Sequence, residues 1–486
     1  MYVEGANPLL IAGVWEEGPT PLDVRSPFDG TSAGTTSYAS DDQVERAVAA
    51  AWAARAEAQA LPVHARADAL LEVSRLLADR AAEVAELITA ESGKPTVWAT
   101  AEVGRAVSVF RWAAEETRRW SGEVMRLDTD RAAEGRLAYV RRVPKGPVLA
   151  ISPFNFPLNL VAHKVAPALA VGAPVVLKPA PKTPLSALLL GEVVAEAMAA
   201  HGLPAGMLSV LNVENERAAG LVADPRLPVV SFTGSGPVGH AIAAAVPTKH
   251  VVLELGGNAA VVVCDDYARP GDLEHAAARI ASFATYQAGQ SCISVQRVYA
   301  AAPVYDDLRT ALEKAMAGLA TGDPTDPGTH VGPMIDEAAA RRVEEWVGEA
   351  VAEGASVLVG GDRAGTTYPP TLLEGAPDEA RVVSEEVFGP VLALERVSTT
   401  EEAFAKVNAS RFGLQAGVFT HDIGTAFRAH RELEVGGVVI GDVPSYRADQ
   451  MPYGGTKESG VGREGVRYTM TDLTYERVMV LTGLDL

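Results

Sequence analysis

Five short apolar runs, separated by helical segments rich in Ala and Leu, dominate the chain between residues 148 and 255. The runs are VLAIS, PVVLK, LSVLNV, VVSF and VVLEL, which start near Val148, Pro174, Leu208, Val229 and Val251. Short runs without polar alternation are typical of strands buried on both faces, and the intervening helices provide right-handed crossovers between parallel strands. The pattern predicts an α/β fold with a Rossmann-like, doubly wound parallel sheet that binds a nucleotide.

The N-terminal third is predicted to be helical after a short irregular start. Ser40, followed three residues later by Gln43, resembles a capping box and begins the first helix. The second predicted helix follows Pro62, carries one broad apolar stripe and ends at Gly93. The third predicted helix spans residues 97–120.

A second set of helices and strands follows Gly257. We predict helices over 273–287, 304–319 and 337–353, and strands over 296–301 and 436–440. The main domain boundary is therefore expected near residue 257.

The composition limits the possible partners and the compartment. A chain of 486 residues is too long for a single hydrophobic core, which agrees with two or three domains. The 42 Lys and Arg residues against 62 Asp and Glu residues leave a net charge of −20, which disfavours nucleic acid and anionic membranes as partners. Only two cysteines occur and no basic leader begins the sequence, so we expect a cytoplasmic protein without a membrane segment.

A glycine-rich motif follows the fourth apolar run. Gly234, Gly236 and Gly239 form G-x-G-x-x-G between a predicted strand and a predicted helix, where the backbone can approach a phosphate group. The motif favours a dinucleotide cofactor over a plain turn. In that arrangement Glu254, at the end of the next strand, is a candidate for the carboxylate that binds the cofactor ribose.

The two cysteines differ in their surroundings. Cys292 lies in the polar stretch GQSCI between a predicted helix and a predicted strand, where a thiol can be partly exposed, as a nucleophile requires. A small buried hydrophobic side chain is the equally weighted alternative. Cys264 ends the apolar run AAVVVC, which favours packing in the core.

Seven short sequence blocks follow one another along the chain. They are ISPFNFP from Ile151, VLKPA from Val176, FTGS from Phe232, ELGGN from Glu254, GQSC from Gly289, EEVFGP from Glu385 and PYGG from Pro452. In this order they resemble the aldehyde dehydrogenase superfamily over nearly the whole chain. The segments 412–419 and 443–455 are most similar to the branch of lactaldehyde and phosphonoacetaldehyde dehydrogenases.

The resemblance implies an NAD(P)-dependent oxidation of an aldehyde to its carboxylate by covalent catalysis. Cys292 would attack the carbonyl group, and the thiohemiacetal would become a thioester that water hydrolyses. The Asn155 amide and the backbone N–H of Cys292 would stabilise the oxyanion, and Glu254 would act as general base. Lys164 and Glu464 match positions that relay a proton outward, with an ordinary surface or structural ion pair as the alternative.

Three other reactions or roles are weighed against this one. For Glu254 the resemblance favours catalysis over ribose binding, because in this family the glycine block lies one strand earlier than a ribose carboxylate requires. Glu254 also disfavours acylating reduction to or from a CoA thioester, since enzymes of that branch usually lack this glutamate. A non-catalytic structural relative is disfavoured because Cys292, Glu254 and Asn155 are all present.

The same resemblance implies a set of cofactor-binding residues and no metal site. They are Ile151, Ser152, Pro153, Phe154, Lys178, Ala180, Pro181, Gly234, Ser235, Val238, Gly239, Leu255, Glu386 and Phe388. NAD-preferring relatives commonly carry a glutamate at the position of Pro181, where it repels the 2′-phosphate of NADP. Its absence here, beside Lys182, admits NAD or NADP as cofactor.

Two arginines match positions that hold the acidic group in members that use anionic aldehydes. Arg105 and Arg447 would suit a phosphonate, sulfonate or carboxylate, and solvated surface arginines are the equally weighted alternative. We therefore expect a small polar aldehyde, lactaldehyde-like, phosphonoacetaldehyde-like or a semialdehyde, with an anionic group as one option.

The family further implies a homodimer or homotetramer that assembles through a small flap. Residues 136–143 and 475–481 show the matching alternation of apolar and polar side chains. The expected division is an NAD(P)-binding domain of 1–121 and 144–256, a catalytic thiol domain of 257–450, and an oligomerisation element of 122–143 and 468–486.

Overall fold

The computed structural model describes residues 7–485; residues 1–6 and 486, at the ends of the predicted domains, lie outside the described residues. The strands are β1 (Leu9–Ile11), β2 (Val14–Glu16), β3 (Thr20–Arg25), β4 (Ser32–Tyr38), β5 (Glu123–Arg126), β6 (Arg136–Pro144), β7 (Val148–Ile151), β8 (Val175–Lys178), β9 (Leu208–Val210), β10 (Val229–Thr233), β11 (His250–Glu254), β12 (Ala259–Val263), β13 (Val295–Ala301), β14 (Ser356–Val359), β15 (Thr371–Glu374), β16 (Val391–Val397), β17 (Phe412–Gly413), β18 (Gln415–Phe419), β19 (Gly437–Ile440), β20 (Thr456–Lys457), β21 (Gly460–Val461) and β22 (Thr474–Thr482). The α-helices are α1 (Asp41–Ala60), α2 (Val63–Asp79), α3 (Ala81–Ser92), α4 (Thr96–Arg119), α5 (Asn159–Val171), α6 (Leu185–Ala200), α7 (Ala218–Ala223), α8 (Gly236–Ala245), α9 (Asp272–Thr285), α10 (Ala302–Ala317), α11 (Glu337–Ala352), α12 (Arg381–Ser384), α13 (Thr400–Asn408), α14 (Ile423–Glu432) and α15 (Val466–Asp472).

The five apolar runs form the parallel centre of the first sheet, as predicted. Its order is β2-β1-β9-β8-β7-β10-β11-β21, and neighbouring strands from β9 to β11 are parallel. Counted from β7, the central order is 3-2-1-4-5, which is that of a doubly wound nucleotide-binding sheet. The strands β1 and β21 are antiparallel to their neighbours in this sheet.

The expected irregular start is wrong, because residues 9–38 contain four strands. β1 joins the first sheet by pairing Leu10 with Val210, and β3 and β4 form a separate hairpin. β1 is buried but has only three residues, and β2, β3 and β4 are only partly buried, so none of these sequences shows a clear apolar alternation. The capping box is confirmed: the Ser40 hydroxyl accepts a hydrogen bond from the Gln43 backbone N–H at 3.2 Å, and the Gln43 side-chain oxygen accepts one from the Ser40 backbone N–H at 2.9 Å.

The second predicted helix is wrong as a single element. It is two helices, α2 and α3, which meet at Arg80, whose backbone angles (φ −104°, ψ 17°) leave the helical range. The Arg80 guanidinium pairs with Glu83 at 2.8 Å and with Glu192 at 3.0 Å. Both helices bury their apolar faces in one core. The apolar stripe of the sequence therefore continues across the break at Arg80, and hydrophobic periodicity alone does not reveal that break. The third helix is confirmed as α4.

The second sheet has the order β14-β15-β16-β13-β12-β18-β19. Its strands are parallel except for the antiparallel pair of β14 and β15. The strands predicted over 296–301 and 436–440 and the three predicted helices are confirmed, whereas β12, β14, β15, β16 and β18 were not predicted. We propose that the two sheets are the cores of two domains that divide near residue 257.

A third sheet, of order β22-β6-β5, pairs the two segments expected to form the flap. β6 and β22 pair along nine residues each. Several large apolar side chains of this sheet are exposed: Val124, Met125, Val478, Met479 and Val480. A role in oligomerisation remains a prediction.

Neither a membrane-spanning helix nor a metal-binding cluster of side chains occurs within residues 7–485. No helix in that range is long and apolar enough to cross a membrane. No group of three or more His, Cys, Asp and Glu side chains in the same range could hold a metal ion.

A buried ion pair links the helical layer to the first sheet. Lys94, after α3, pairs with Glu102 of α4, and both side chains are fully buried. The second carboxylate oxygen of Glu102 accepts hydrogen bonds from the backbone N–H groups of Leu158 and Asn159, at 2.9 and 3.0 Å. The ammonium group of Lys94 also lies 4.0 Å from the centre of the Phe156 ring. The pair therefore fixes the start of α5 and the loop after β7.

Replacing Glu102 by alanine should destabilise the protein by about 3–5 kcal/mol. The variant leaves the charge of Lys94 buried without its partner and leaves two buried backbone N–H groups without their acceptor. Glu115→Ala is the matched control, since Glu115 lies on the same helix in an exposed pair with Arg111 and should change the stability far less. Denaturant unfolding of the two variants measures the difference. Equal losses of stability in both variants would contradict the role given to the buried pair.

Candidate active site

A cavity of about 1050 Å³ opens at the carboxyl ends of the parallel strands of the first sheet. The strand order reverses between β7 and β10, and ligands of doubly wound sheets bind at such a switch point. Four strands contribute their last residue to the wall: Ile151, Lys178, Thr233 and Glu254. All predicted site residues line this cavity except Lys164 and Gly239.

Cys292 reaches the cavity from the segment that precedes β13 of the second sheet, after a tight backbone turn. Gln287, Ala288 and Gly289 have positive φ angles of 53°, 52° and 70°. A Cβ at Gly289 would lie 2.0 Å from the carbonyl oxygen of Gly389, so this turn requires glycine. The turn redirects the chain after α9 ends, so that Cys292 lines the cavity.

The Cys292 thiol is half-buried, and its sulfur lies 2.9 Å from the hydroxyl oxygen of Tyr453. Burial raises the pKa of the thiol to about 12, although the hydrogen bond with Tyr453 acts in the opposite direction. At neutral pH the free site therefore holds a thiol that needs a base before it can attack. Cys264, by contrast, is buried among side chains of the second sheet, which confirms its packing role.

Asn155 lies beside the backbone that leads to the cysteine. Its amide nitrogen donates a hydrogen bond to the carbonyl oxygen of Gln290 at 2.8 Å. The loop that carries Asn155 is held by Glu102 at Leu158 and Asn159. One amide hydrogen of Asn155 is thus used to fix the side chain, and the second is available for a ligand.

Glu254 is buried at the end of β11, and neither of its carboxylate oxygens has a hydrogen-bond partner among residues 7–485. Burial, and next the negative charge of Glu464, raise the pKa of Glu254 well above its usual value. The positive charges of Arg447 and Lys164 act against this rise. A carboxylate of this kind is a stronger base than an exposed one.

Lys164 and Glu464 form a buried pair, which excludes the surface ion pair considered from the sequence. Their charged atoms lie 3.5 Å apart, and the side chains are 1% and 2% exposed. Lys164 also donates to the Ser231 hydroxyl at 3.1 Å. Although burial acts in the opposite direction, Lys164 and then Arg447 lower the pKa of Glu464 to about 2. Glu464 is therefore ionised, and Glu254 lies in the field of the same cluster.

The other half of the cavity has the features of a dinucleotide site. The G-x-G-x-x-G motif joins β10 to α8, and a Cβ at Gly239 would lie 2.4 Å from the Leu255 side chain, so glycine permits this close packing of helix on strand. Lys178 donates to Asn215 at 3.0 Å, and burial lowers the pKa of this lysine to about 8. A buried cation that, within residues 7–485, has no carboxylate in hydrogen-bond contact fits an anionic ligand group.

Two residues of the EEVFGP block complete this half. Glu386 accepts a hydrogen bond from the Gly257 backbone N–H at 2.9 Å, and burial raises its pKa to about 7. Phe388 has a positive φ of 48° and packs edge-on against Phe154, with ring centres 5.9 Å apart. These residues fit a nicotinamide dinucleotide placed between the glycine motif and the thiol.

The sequence profile of the aldehyde dehydrogenase family matches residues 15–479. The chain belongs to the aldehyde dehydrogenase family. It is 41% identical over 474 residues to 3-sulfolactaldehyde dehydrogenase of Priestia aryabhattai, which covers 97% of each chain. Aldehyde dehydrogenase 21 of Physcomitrella patens, solved with the reaction product succinate, superimposes with a TM-score of 0.96 at 42% identity and 99% coverage of both chains. The NADP-dependent glyceraldehyde-3-phosphate dehydrogenase of Bacillus halodurans, complexed with NADP, has a TM-score of 0.93 at 35% identity, over 98% of this chain and 99% of that one.

These likenesses confirm the family, the α/β fold and an oxidoreductase that uses NAD or NADP. This aldehyde dehydrogenase thus has the fold expected from the seven sequence blocks.

The two arginines predicted to hold an acidic group have different environments in the aldehyde dehydrogenase. Arg447 is 5% exposed, pairs with Glu464 at 3.1 Å and lies 3.8 Å above the centre of the Tyr453 ring. Arg105 is 31% exposed, and two of its nitrogens contact one carboxylate oxygen of Asp449, at 2.9 and 3.2 Å. Neither is a freely solvated surface arginine.

Several residues of the site were not singled out from the sequence. Tyr453 belongs to the PYGG block, but nothing in the block indicates that its hydroxyl contacts Cys292. His163 is fully buried, and its Nε2 atom lies 3.1 Å from Asp449 and 3.3 Å from Arg447. Burial lowers the pKa of this histidine to about 4, so it is neutral at pH 7. In the sequence, only its position next to Lys164 indicates that His163 belongs to the site.

Proposed function

We propose that this aldehyde dehydrogenase oxidises a small polar aldehyde with an anionic group to its carboxylate, with Cys292 as the nucleophile. The observation that carries the proposal is the meeting of four groups in one cavity. These are the Cys292 thiol, the buried Glu254 carboxylate and the guanidinium groups of Arg105 and Arg447.

The first step is attack of sulfur on the carbonyl carbon. The thiol proton passes to Glu254, whose raised pKa makes it a suitable acceptor. A bond forms between sulfur and carbon, and the carbonyl π electrons move to oxygen. The Asn155 amide and the Cys292 backbone N–H stabilise that oxyanion. The product of this step is a thiohemiacetal on Cys292.

Bound NAD(P)⁺ supplies the acceptor for the hydride that leaves the thiohemiacetal. The resulting thioester is then hydrolysed. Glu254 first releases the thiol proton and is again a carboxylate; it then takes a proton from water, the water oxygen bonds to the carbonyl carbon, and the carbon–sulfur bond breaks to restore Cys292. The charges of the buried Lys164–Glu464 pair act on Glu254, and we propose that this pair relays the proton outward.

The experiments below also distinguish two alternatives to hydrolytic aldehyde oxidation. In a CoA-acylating enzyme a second thiol, not water, would attack the thioester, and the presence of Glu254 supports hydrolysis instead. A non-catalytic relative would be expected to lose the nucleophile or the base, whereas Cys292, Glu254 and Asn155 all lie at the cavity.

We propose that the cofactor site accepts NADP as well as NAD. Pro181 lines the cavity where a glutamate would oppose a 2′-phosphate. Lys182 is exposed and lies 3.4 Å from Asp336, so its ammonium group is free to change partners. The relative from Bacillus halodurans is complexed with NADP, which agrees with this proposal.

An anionic aldehyde is favoured because two guanidinium groups line a cavity that belongs to a chain of net charge −20. Buried arginines are suited to carboxylate and sulfonate groups. One relative is named for 3-sulfolactaldehyde, an anionic aldehyde, and another was solved with the reaction product succinate, a dicarboxylate. Arg105, as the more exposed of the two, is the better candidate for direct contact.

Assembly and location complete the proposal. The exposed apolar side chains of the β22-β6-β5 sheet would be covered in a homodimer or homotetramer. A cytoplasmic location agrees with the two free thiols, Cys264 and Cys292.

Cys292→Ala should abolish aldehyde oxidation, and Glu254→Gln should lower kcat by about 100-fold or more, because each removes a group that forms or breaks a bond. The Kd of NAD and NADP should be unchanged in both variants. Steady-state kinetics and cofactor titration check these outcomes. A large rise in cofactor Kd for Glu254→Gln, with thiol chemistry intact, would support ribose binding instead.

Glu464→Gln should move the acidic limb of the kcat/KM profile to lower pH. Glu254 must be ionised to accept a proton, so activity rises as pH passes its raised pKa. Removing the negative charge of Glu464 leaves Lys164 and Arg447 to lower the pKa of Glu254. Glu458→Gln is the control, because Glu458 is exposed on Arg411. An acidic limb that stays in place or moves to higher pH in Glu464→Gln contradicts this cluster as the cause.

Arg105→Met should lower kcat/KM about 10- to 100-fold for anionic aldehydes and little for lactaldehyde, because a charge-assisted hydrogen bond is lost only with the former. The panel comprises sulfolactaldehyde, phosphonoacetaldehyde, succinic semialdehyde and lactaldehyde, each with both cofactors. Arg111→Met, on an exposed position of the same helix, is the control. Preference of the parent for long alkyl or aromatic aldehydes would count against an anion site.

A further inference from the structure

The proposed nucleophile is in hydrogen-bond contact with a phenol that the mechanism above does not use. The Tyr453 hydroxyl oxygen lies 2.9 Å from the Cys292 sulfur, within hydrogen-bond range. The tyrosine is 4% exposed, so little water competes for this contact. The contact joins the segment after β19 to the turn before β13.

The phenol is the partner that keeps its proton. Ordinary pKa values are ~8.5 for a thiol and ~10 for a phenol, so the thiol is the more acidic group. Burial, and next the charge of a neighbouring thiolate, raise the pKa of Tyr453 well above its usual value. When the thiol proton leaves, the Tyr453 hydroxyl therefore remains protonated and becomes the donor.

A second charge acts on the same phenol from above its ring. The Arg447 guanidinium lies 3.8 Å from the ring centre and is held there by Glu464 at 3.1 Å. A cation on the ring face withdraws electron density and makes the hydroxyl a stronger donor. Arg447 is nearly fully buried, so this effect is weakly screened by solvent.

We propose that Tyr453 is a catalytic residue whose hydroxyl donates a hydrogen bond to the Cys292 thiolate. The proposal rests on the proposed role of Cys292 as nucleophile. The phenol keeps its proton throughout, and the thiol proton goes to Glu254. The hydrogen bond weakens when sulfur bonds to carbon and loses its charge. It forms again when the carbon–sulfur bond of the thioester breaks, and so stabilises the leaving thiolate.

The size of the effect follows from two opposing trends. A hydrogen bond to an ionised group should lower the pKa of the thiol by about one to two. The nucleophilicity of a thiolate falls with its pKa, with a slope of about 0.4–0.5 on logarithmic scales. The net gain in rate at neutral pH is therefore about threefold to tenfold.

The experiment measures the alkylation rate of Cys292 by iodoacetamide over a pH series, in the full-length protein without cofactor. The modified Cys292 peptide is quantified by mass spectrometry, so that Cys264 does not contribute. The variants are Tyr453→Phe and, as matched control, Tyr286→Phe. Tyr286 is another buried phenol of the cavity, but its hydroxyl bonds to Ser291. Thermal unfolding of each variant checks that the fold is retained.

We expect Tyr453→Phe to be alkylated about threefold to tenfold more slowly at neutral pH, with its profile moved to higher pH, and Tyr286→Phe to match the parent. Superimposable profiles of Tyr453→Phe and the parent would overturn the proposal, even if turnover falls. Equal slowing in both variants would also overturn it, because loss of packing would then be the cause. Retention of turnover by Cys292→Ala would instead refute the role of the nucleophile itself.

Discussion

Ionised groups are stable inside a protein only when other charges or hydrogen bonds replace the water they lose, and four such groups meet beside the nucleophile. Glu464 is paired on both sides, with Lys164 at 3.5 Å and Arg447 at 3.1 Å, and its pKa falls. Glu254 has no hydrogen-bond partner among residues 7–485, and its pKa rises. One cluster thus gives two carboxylates opposite properties, which is the separation that acid–base catalysis requires.

This cluster can form only because distant elements are held in register. Lys164 lies on α5 and Glu254 ends β11, whereas Arg447 follows β19 and Glu464 follows β21. The start of α5 is fixed in turn by Glu102, through hydrogen bonds to the first backbone N–H groups of the helix. Buried charge is therefore used twice, once to position the loop after β7 and once to set the protonation state of the site.

The local charges also reconcile an acidic chain with an anionic substrate. The net charge of −20 is a property of the whole surface, whereas the cavity presents the guanidinium groups of Arg105 and Arg447. The two differ in what they can do. Arg447 is buried and held by Glu464 against the Tyr453 ring, so its field acts on the phenol and the thiol. Arg105 is partly exposed and better suited to meet a ligand.

The sequence by itself determined the five central strands, the family and the cavity residues, because apolar runs and ordered motifs are local properties of the chain. It missed the strands at residues 9–38, the break at Arg80 and the strand β18, since short length or partial burial, a one-residue kink and a glycine within a strand leave weak local signals. Only the tertiary structure decided that Arg447 is buried and that the Tyr453 hydroxyl meets Cys292. Cys292 and Tyr453 are 161 positions apart in the sequence. A contact over that separation depends on how the two sheets and their connections pack, which no local sequence pattern records.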